Sequence, residues 1–470
     1  MPSDLPNLST SCDVLIVGAG PAGTAAAITA VRQGLSVTII DKAVFPRDKC
    51  CGDGLTTLAL RELEKLRFDP STVPSWTDID AAWLRSPSGR ELRLPMPNNG
   101  KFAAVTPRVE LDNALVIQAR SEGVTIVEDC TYESMAVNSE SVCVSVNLKN
   151  MPQQITASWV IAADGMWSPV RKSLGLSESG YLGEWHAFRQ YANNVTGVAN
   201  ERLIVWFEKD LLPGYAWSFP LPNNRVNIGF GVVRDGKRRI QDMKDVWTDL
   251  LQRPHVVEAL GPDFVMEDRH TAWPIPARVD EAVTGSGRVL FVGDAAMATD
   301  TLTGEGIGQA LLSGSLAAEA IIQGGLPVEV RNTYAQAVKH HLFADHRMSL
   351  RLSKILAHGR GARGAGLSVR HGSDDPDRPL GAREDLAGGE GDRSDGQRGA
   401  AEATTQACRI PDRNTVLHKH GVPDQKLRLS AREKRRGMGR PNPSVAFWKL
   451  SASVPTEPRP FSFDSGSWPG

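Results

Sequence analysis

The feature that most constrains this chain is the stretch from Asp13 to Gly54, which has the order strand, glycine turn, helix, strand, acid of a dinucleotide-binding βαβ unit. Residues 13–17 form an apolar run suited to a buried parallel strand, and Gly18, Gly20 and Gly23 follow at once in the G-x-G-x-x-G spacing. Each glycine has a steric task. Gly18 allows the tight turn, Gly20 lets backbone N–H groups approach a pyrophosphate, and Gly23 lets the helix expected over residues 21–33 lie against the strand. A second, β-branched strand over residues 35–40 ends in Asp41, 18 positions beyond Gly23, where such folds place the acid that binds a ribose hydroxyl. The motif alone does not separate FAD from NAD. Asp41 argues against NADP, because a carboxylate repels a 2′-phosphate, although Lys42 beside it weakens the point.

With 470 residues, 41% of them hydrophobic and 23% charged, the chain can hold more than one domain around sizeable cores. A net charge of −1 gives no electrostatic case for nucleic acid or for strong attraction to an anionic membrane. Six cysteines in a chain this long make no disulfide framework, which suits a reducing cytoplasm. No basic segment followed by an apolar one opens the sequence, so no signal peptide is expected. The least polar long stretch, residues 306–326, is interrupted by Gln309, Ser313, Ser315, Glu319 and Gln323, and reads as a packed helix rather than a membrane span.

Further along, residues 55–66 show the spacing of an amphipathic helix, and residues 69–101 look like an insertion with strand-like pieces at 81–84 and 91–94. A helix to about Glu122, a strand at 124–127 and a hairpin over 134–146 follow. Two more strand ends carry an acid and glycines. Residues 159–163 lead into Asp164 and Gly165, and residues 289–292 lead into Gly293 and Asp294, with Gly304, Gly306 and Gly308 then opening a helix to about Ile322. An acid there can orient a ribose, a glycine lets a cofactor pass close to the backbone, and a helix start offers N–H groups to an electron-rich ring; each is also compatible with an ordinary capped turn. Between them, residues 184–234 are strand-rich and hold Trp185, Trp206, Tyr215, Trp217, Phe219 and Phe230, either the wall of an apolar pocket or a sheet core. His340, His341 and His346 lie on a helix expected over 334–356, have no acid or thiol at ligand spacing, and read as solvated.

Taken together, these residues resemble the geranylgeranyl reductase family of FAD-dependent oxidoreductases, within the p-hydroxybenzoate hydroxylase-like flavoprotein superfamily. The resemblance runs from about Cys12 to about Arg363. Gly18, Gly20, Gly23 and Asp41 match the FAD fingerprint, Asp164 and Gly165 the D-G motif, Gly293 and Asp294 the G-D motif, Gly304 and Gly306 the loop at the flavin, and Arg108 an arginine placed near the cofactor. More discriminating are the segment from Phe45 to Leu55 containing Cys51-Gly52-Asp53-Gly54, and Tyr215, Trp217, Phe219 and Pro220 followed by Gly229 and Gly231, an element that lines the prenyl pocket in that family.

The resemblance implies FAD as cofactor and reduction of C=C bonds in a polyprenyl, geranylgeranyl-type chain, with hydride from the reduced flavin and a proton from an acid. It places Cys51 beside the flavin as an aid to protonation or positioning; a small packing residue is the alternative. The vicinal Cys50 departs from the family pattern. No second G-x-G-x-x-G marks a nicotinamide domain, so NAD(P)H or a ferredoxin-type donor would act transiently. A flavin-dependent aromatic monooxygenase or halogenase on the same scaffold is the other enzymatic reading, although the W-x-W-x-I-P halogenase element is missing its first half at Trp273-Pro274-Ile275-Pro276. An inactive product with a derailed C-terminus is the third.

The expected fold class is α/β: a Rossmann-type FAD-binding domain (1–68, 102–183 and 272–360) with an inserted antiparallel β-sheet substrate domain (69–101 and 184–271), plus a disordered tail. From residue 361 to 400, ten of forty residues are glycine and aliphatic residues are few, too little apolar surface to offset chain entropy. Residues 361–470 therefore read as a disordered extension or a frame-shifted product. The expected partners are a small-molecule or lipid prenyl substrate and, through it, a peripheral contact with the membrane; no protein or nucleic-acid partner is indicated.

Overall fold

The computed structural model describes residues 10–234 and 240–357. The tail expected from residue 361, with its alternatives of extension or frame shift, lies outside the described residues.

The glycine-bearing stretch builds the centre of an 8-stranded sheet. Ser11–Val17 pairs in parallel with Val37–Ile40 on one side and Met151–Ala162 on the other, so that Val14 stands opposite both Val37 and Trp159. Thr125–Val127 and Val289–Phe291 extend the parallel set outward, and the hairpin Cys130–Val137 with Val142–Leu148 joins it antiparallel. Val14, Leu15 and Ile16 are all 0% exposed. A continuous apolar run of this kind suits a strand covered on both faces, each large side chain contributing about 1.5–3 kcal/mol on burial. The helices Pro21–Val31 and Ile307–Gln323 pack closely together beside the sheet through small residues. The helix expected over 334–356 is longer, Pro327–Ala357, and its Tyr334 hydroxyl donates to Phe291 O at 2.7 Å.

A second 8-stranded sheet holds the aromatic segment. Trp185–Asn193, Arg225–Val233, Tyr215–Leu221 and Leu203–Trp206 run antiparallel in that spatial order. Leu203–Trp206 then pairs in parallel with Ala81–Arg85, whose hairpin partner is Glu91–Pro95, so the strand-like pieces of the 69–101 segment belong to this sheet. Strand alternation gives the sheet two faces. Trp206 and Phe230 pack on one of them against the helices Ile240–Gln252 and Pro254–Leu260, with Phe230 stacked on Trp247 at 6.0 Å. These two rings are therefore sheet core, the second of the two alternatives that the sequence leaves open for the aromatic segment.

His346 also departs from expectation. It is 4% exposed rather than solvated, and its Nε2 lies 2.8 Å from Asp280 Oδ1. The acid comes from 66 positions earlier in the chain, so no local spacing could announce it. His340 and His341 are exposed as expected.

Candidate functional site

The three acid-and-glycine loops end at one place. Gly18, Gly20 and Asp41 from the first βαβ unit, Asp164 and Gly165 after Met151–Ala162, and Gly293, Asp294, Gly304 and Gly306 after Val289–Phe291 all line a single cavity of about 800 Å³. The same cavity is walled by Cys51, Arg108, Tyr215, Trp217, Phe219 and Gly231. Three of the residues expected there are not on its wall. Gly23 acts on packing, since a Cβ there would stand 1.9 Å from Gly18 O. Pro220 points to the opposite face, as alternation after Phe219 requires, and Gly229 lies beneath Trp217, where a Cβ would come within 2.4 Å of the indole ring.

The loop ends have the shape and polarity of a dinucleotide cradle. Gly18 sits at φ +107°, and a Cβ there would meet Ala163 O at 2.4 Å. Gly165, at φ +78°, has nothing within 4 Å of its Cβ position, so its backbone is open to a ligand. Asp41 accepts from Ala19 N through Oδ2 and from Ala43 N through Oδ1, both at 2.8 Å, which fixes the turn while leaving carboxylate lone pairs free for a hydroxyl. Asp164 accepts from Val170 N at 3.0 Å through Oδ2, whereas its buried Oδ1 has no protein partner. Burial pushes the Asp164 carboxyl up to about 6. An orphaned acceptor at a strand end is what a ribose hydroxyl would satisfy.

Arg47 was not singled out by its sequence context. Arg108 grips Asp112 with Nε and Nη2, each at 2.7 Å, and Arg47 Nη1 reaches the same carboxylate at 2.8 Å. Two guanidiniums on one carboxylate leave a net positive charge. Arg47 Nη2 is 3.6 Å from where a Gly20 Cβ would stand, the place at which the glycine motif presents N–H groups to a pyrophosphate.

The segment carrying Cys51 is held from beneath by a buried polar network. Asn227, 0% exposed, donates through Nδ2 to Cys51 O at 2.9 Å and to Asp53 Oδ2 at 2.7 Å. Tyr191 Oη donates to Asp53 Oδ2 at 2.6 Å, and Arg108 N to Asp53 Oδ1 at 3.3 Å. Arg189 adds Nε to Cys51 O at 3.2 Å and an ion pair with Asp48 at 2.9 Å. Burial outweighs these partners and pushes the Asp53 carboxyl up to about 6. The Cys51 thiol, also raised by burial, accepts from Asp53 N at 3.3 Å and is protonated at neutral pH. Lys49 lies over the Trp273 ring at 3.7 Å, and burial lowers its pKa. Neither Asp53 nor Lys49 carries a local sign of this role, because their partners Asn227, Tyr191 and Trp273 come from strands far along the chain.

Above this floor the aromatic wall is fixed by its polar edges. Trp217 Nε1 donates to Asn227 Oδ1 at 3.0 Å, and the Tyr215 hydroxyl donates to Thr303 O. Tyr215 and Trp217 approach at 6.0 Å between centroids, and Trp217 and Phe219 at 6.2 Å. The result is one cavity with a polar, phosphate-and-ribose end and an apolar, ring-walled end.

Residues 11–318 match the FAD binding domain family. A menaquinone reductase of Mycolicibacterium smegmatis is 33% identical over 377 residues, covering 74% of this chain and 85% of the relative. A digeranylgeranylglycerophospholipid reductase 2 of Methanococcoides burtonii is 27% identical over 334 residues, 68% of this chain and 78% of the relative. Among solved structures, a geranylgeranyl bacteriochlorophyll reductase-like protein of Thermoplasma acidophilum superposes with a TM-score of 0.65 at 22% identity, over 74% of this chain and 88% of that one. With a matching family over residues 11–318 and a cavity whose loops fit a dinucleotide, the chain belongs to the geranylgeranyl reductase family of FAD-dependent oxidoreductases and takes FAD as its cofactor.

Proposed function

We propose that this enzyme saturates isolated C=C bonds in the isoprenoid chain of a lipid, such as the tail of a menaquinone or the geranylgeranyl chains of a glycerophospholipid. The observation that carries the reading is the shared cavity: Tyr215, Trp217 and Phe219 wall the same space that Gly18, Asp164 and Asp294 enter from the other end. Relatives named for menaquinone and for digeranylgeranylglycerophospholipid have in common a substrate with a prenyl chain.

Bound FAD, once reduced, supplies the hydride that an isolated alkene cannot obtain from a protein side chain. The protein's own residues do the rest. Gly18, Gly20 and Arg47 would hold the pyrophosphate, and Asp41 and Asp164 would accept from ribose hydroxyls. Tyr215, Trp217 and Phe219 keep an apolar chain extended and exclude water from the reacting bond. Cys51, protonated and seated in the cavity, places a proton beside the alkene, and Arg108 and the Asp53 N–H stabilise the thiolate left behind.

The test is anaerobic turnover. Purified FAD-loaded enzyme, reduced with dithionite and mixed with a menaquinone or a geranylgeranyl lipid, should be reoxidised with a gain of two hydrogens per bond in the mass spectrum. An oxygen-dependent hydroxylated or halogenated aromatic product, with no change in prenyl mass, would replace this reading with the monooxygenase or halogenase one.

A further inference from the structure

Saturating a double bond consumes one proton for every hydride, and the cavity that must exclude water also has to be resupplied with protons. A second cavity of about 60 Å³ lies against the first. Thr56, Thr299, Thr303 and Glu305 line both, and Glu305 alone among the four titrates. The second cavity is closed elsewhere by Asp300, Gln309 and, from the helix Pro327–Ala357, by Asp345, His346 and Ser349.

Two buried polar atoms on residues lining this second cavity have no protein partner: His346 Nδ1 and Gln309 Oε1, on residues 4% and 8% exposed. Buried polar atoms without a protein partner are normally met by water, and 60 Å³ accommodates about two water molecules. The histidine also faces outward. Its Nε2 lies 2.8 Å from Oδ1 of the exposed Asp280 while its Nδ1 is buried without a partner, so the ring spans from a surface acid to the interior and can take up a proton at one nitrogen and release one from the other. On the inner side, Glu305 accepts from Thr56 Oγ1 at 2.5 Å and faces Asp300 and Tyr215. Asp300 is occupied in holding the loop, accepting from Leu302 N, Thr303 N and Ser349 Oγ at 2.7 to 2.9 Å and 2.6 Å.

We propose that Glu305 passes protons from solvent, by way of Asp280, His346 and water in the second cavity, into the substrate cavity. This rests on the alkene-reduction reading. In each turnover the double bond gains two electrons as a hydride at one carbon, the reduced cofactor being oxidised by two electrons, and a proton at the other. Glu305 gives its carboxyl proton to replace the one lost by the acid beside the alkene, and its carboxylate regains a proton from the second cavity. Burial, with Asp300 alongside, pushes the Glu305 carboxyl up to about 7, so that both of its protonation states are populated near neutral pH.

The test uses FAD-loaded wild-type enzyme and the variants Glu305→Gln, Glu305→Asp and His346→Asn. Without substrate, the wild type should show an infrared band of a protonated carboxyl that titrates near neutral pH, shifts promptly in deuterated water and is missing from Glu305→Gln. With substrate, Glu305→Gln should lower kcat about 100-fold and remove the decline of kcat above neutral pH, Glu305→Asp should restore part of it, and His346→Asn should slow both deuterium exchange and turnover. A wild type lacking that band, or a Glu305→Gln enzyme with unchanged kcat and pH profile, overturns the proposal. If the band exchanges as described and slows in His346→Asn, but no two-hydrogen mass gain follows, the proton path stands and the alkene reading falls.

Discussion

Trp217 donates its indole N–H to Asn227 Oδ1 at 3.0 Å, and the other end of that amide holds Cys51 O and Asp53 Oδ2. One buried amide thus ties the hydrophobic wall to the loop that carries the thiol. Asn227→Ala strands the indole N–H and strips Asp53 of a donor, at about 1–3 kcal/mol for each buried group left unpaired. The expected outcome is a loss of about 2–5 kcal/mol in denaturant unfolding together with a fall in kcat of tenfold or more. Unchanged unfolding would show that the amide bears no such load.

Two glycines of the cradle should fail differently. Gly18→Ala drives a Cβ to 2.4 Å from a backbone oxygen at φ +107° and should impair folding itself. Gly165→Ala meets nothing within 4 Å of protein and costs about 1 kcal/mol in backbone strain, but its methyl group enters the cavity. That variant should fold and be purified with little bound FAD, read from its flavin absorbance.

Asp53→Asn tests the buried charge. The folded-state value of about 6 is above the ordinary 3.8, so the folded protein holds this proton more tightly than the unfolded chain. The stability this contributes is present below about pH 4 and lost as pH rises through 6, amounting to about 3 kcal/mol. The amide variant lacks that decline. Thermal unfolding of both proteins from pH 4 to 7 should give diverging curves, and parallel ones would show that Asp53 does not titrate in this range.

Cys51→Ala should leave FAD bound and lower kcat by about 100-fold or more, the scale of a lost general acid. Turnover at the wild-type rate would reduce Cys51 to a packing residue.

Trp217→Ala should act mainly on substrate binding. Opening the wall removes a ring that contributes about 3 kcal/mol or more when buried, so kcat/KM for a long prenyl chain should fall about 100-fold and that for a short one much less. Equal losses for both lengths would place the long chain elsewhere.

The cofactor end of the site was legible in the sequence because its determinants are local. The turn at Gly18, the acid at Asp41 and the strand ends at Asp164 and Asp294 each lie within a few residues of the strand that positions them, and the structure brings all of them to one cavity. The aromatic end of the cavity was legible only in part. Alternation along Tyr215–Leu221 separates Phe219 from Pro220, and which rings face inward depends on the sheet's partners, so Trp206 and Phe230 could not be told from Trp217 by composition. Non-local burial was illegible. Asp53 and His346 look like ordinary solvated charges until Asn227 and Asp280 arrive from 174 and 66 positions away.

The aromatic wall of the cavity is one side of a sheet whose reverse rests on Trp247, stacked against Phe230 in the neighbouring strand to Trp217. A change of volume at Trp247 would tilt that strand and alter the bore from behind. Preference for chain length or branching can therefore drift through positions that no substrate ever meets, and relatives with matching channel linings need not share a substrate.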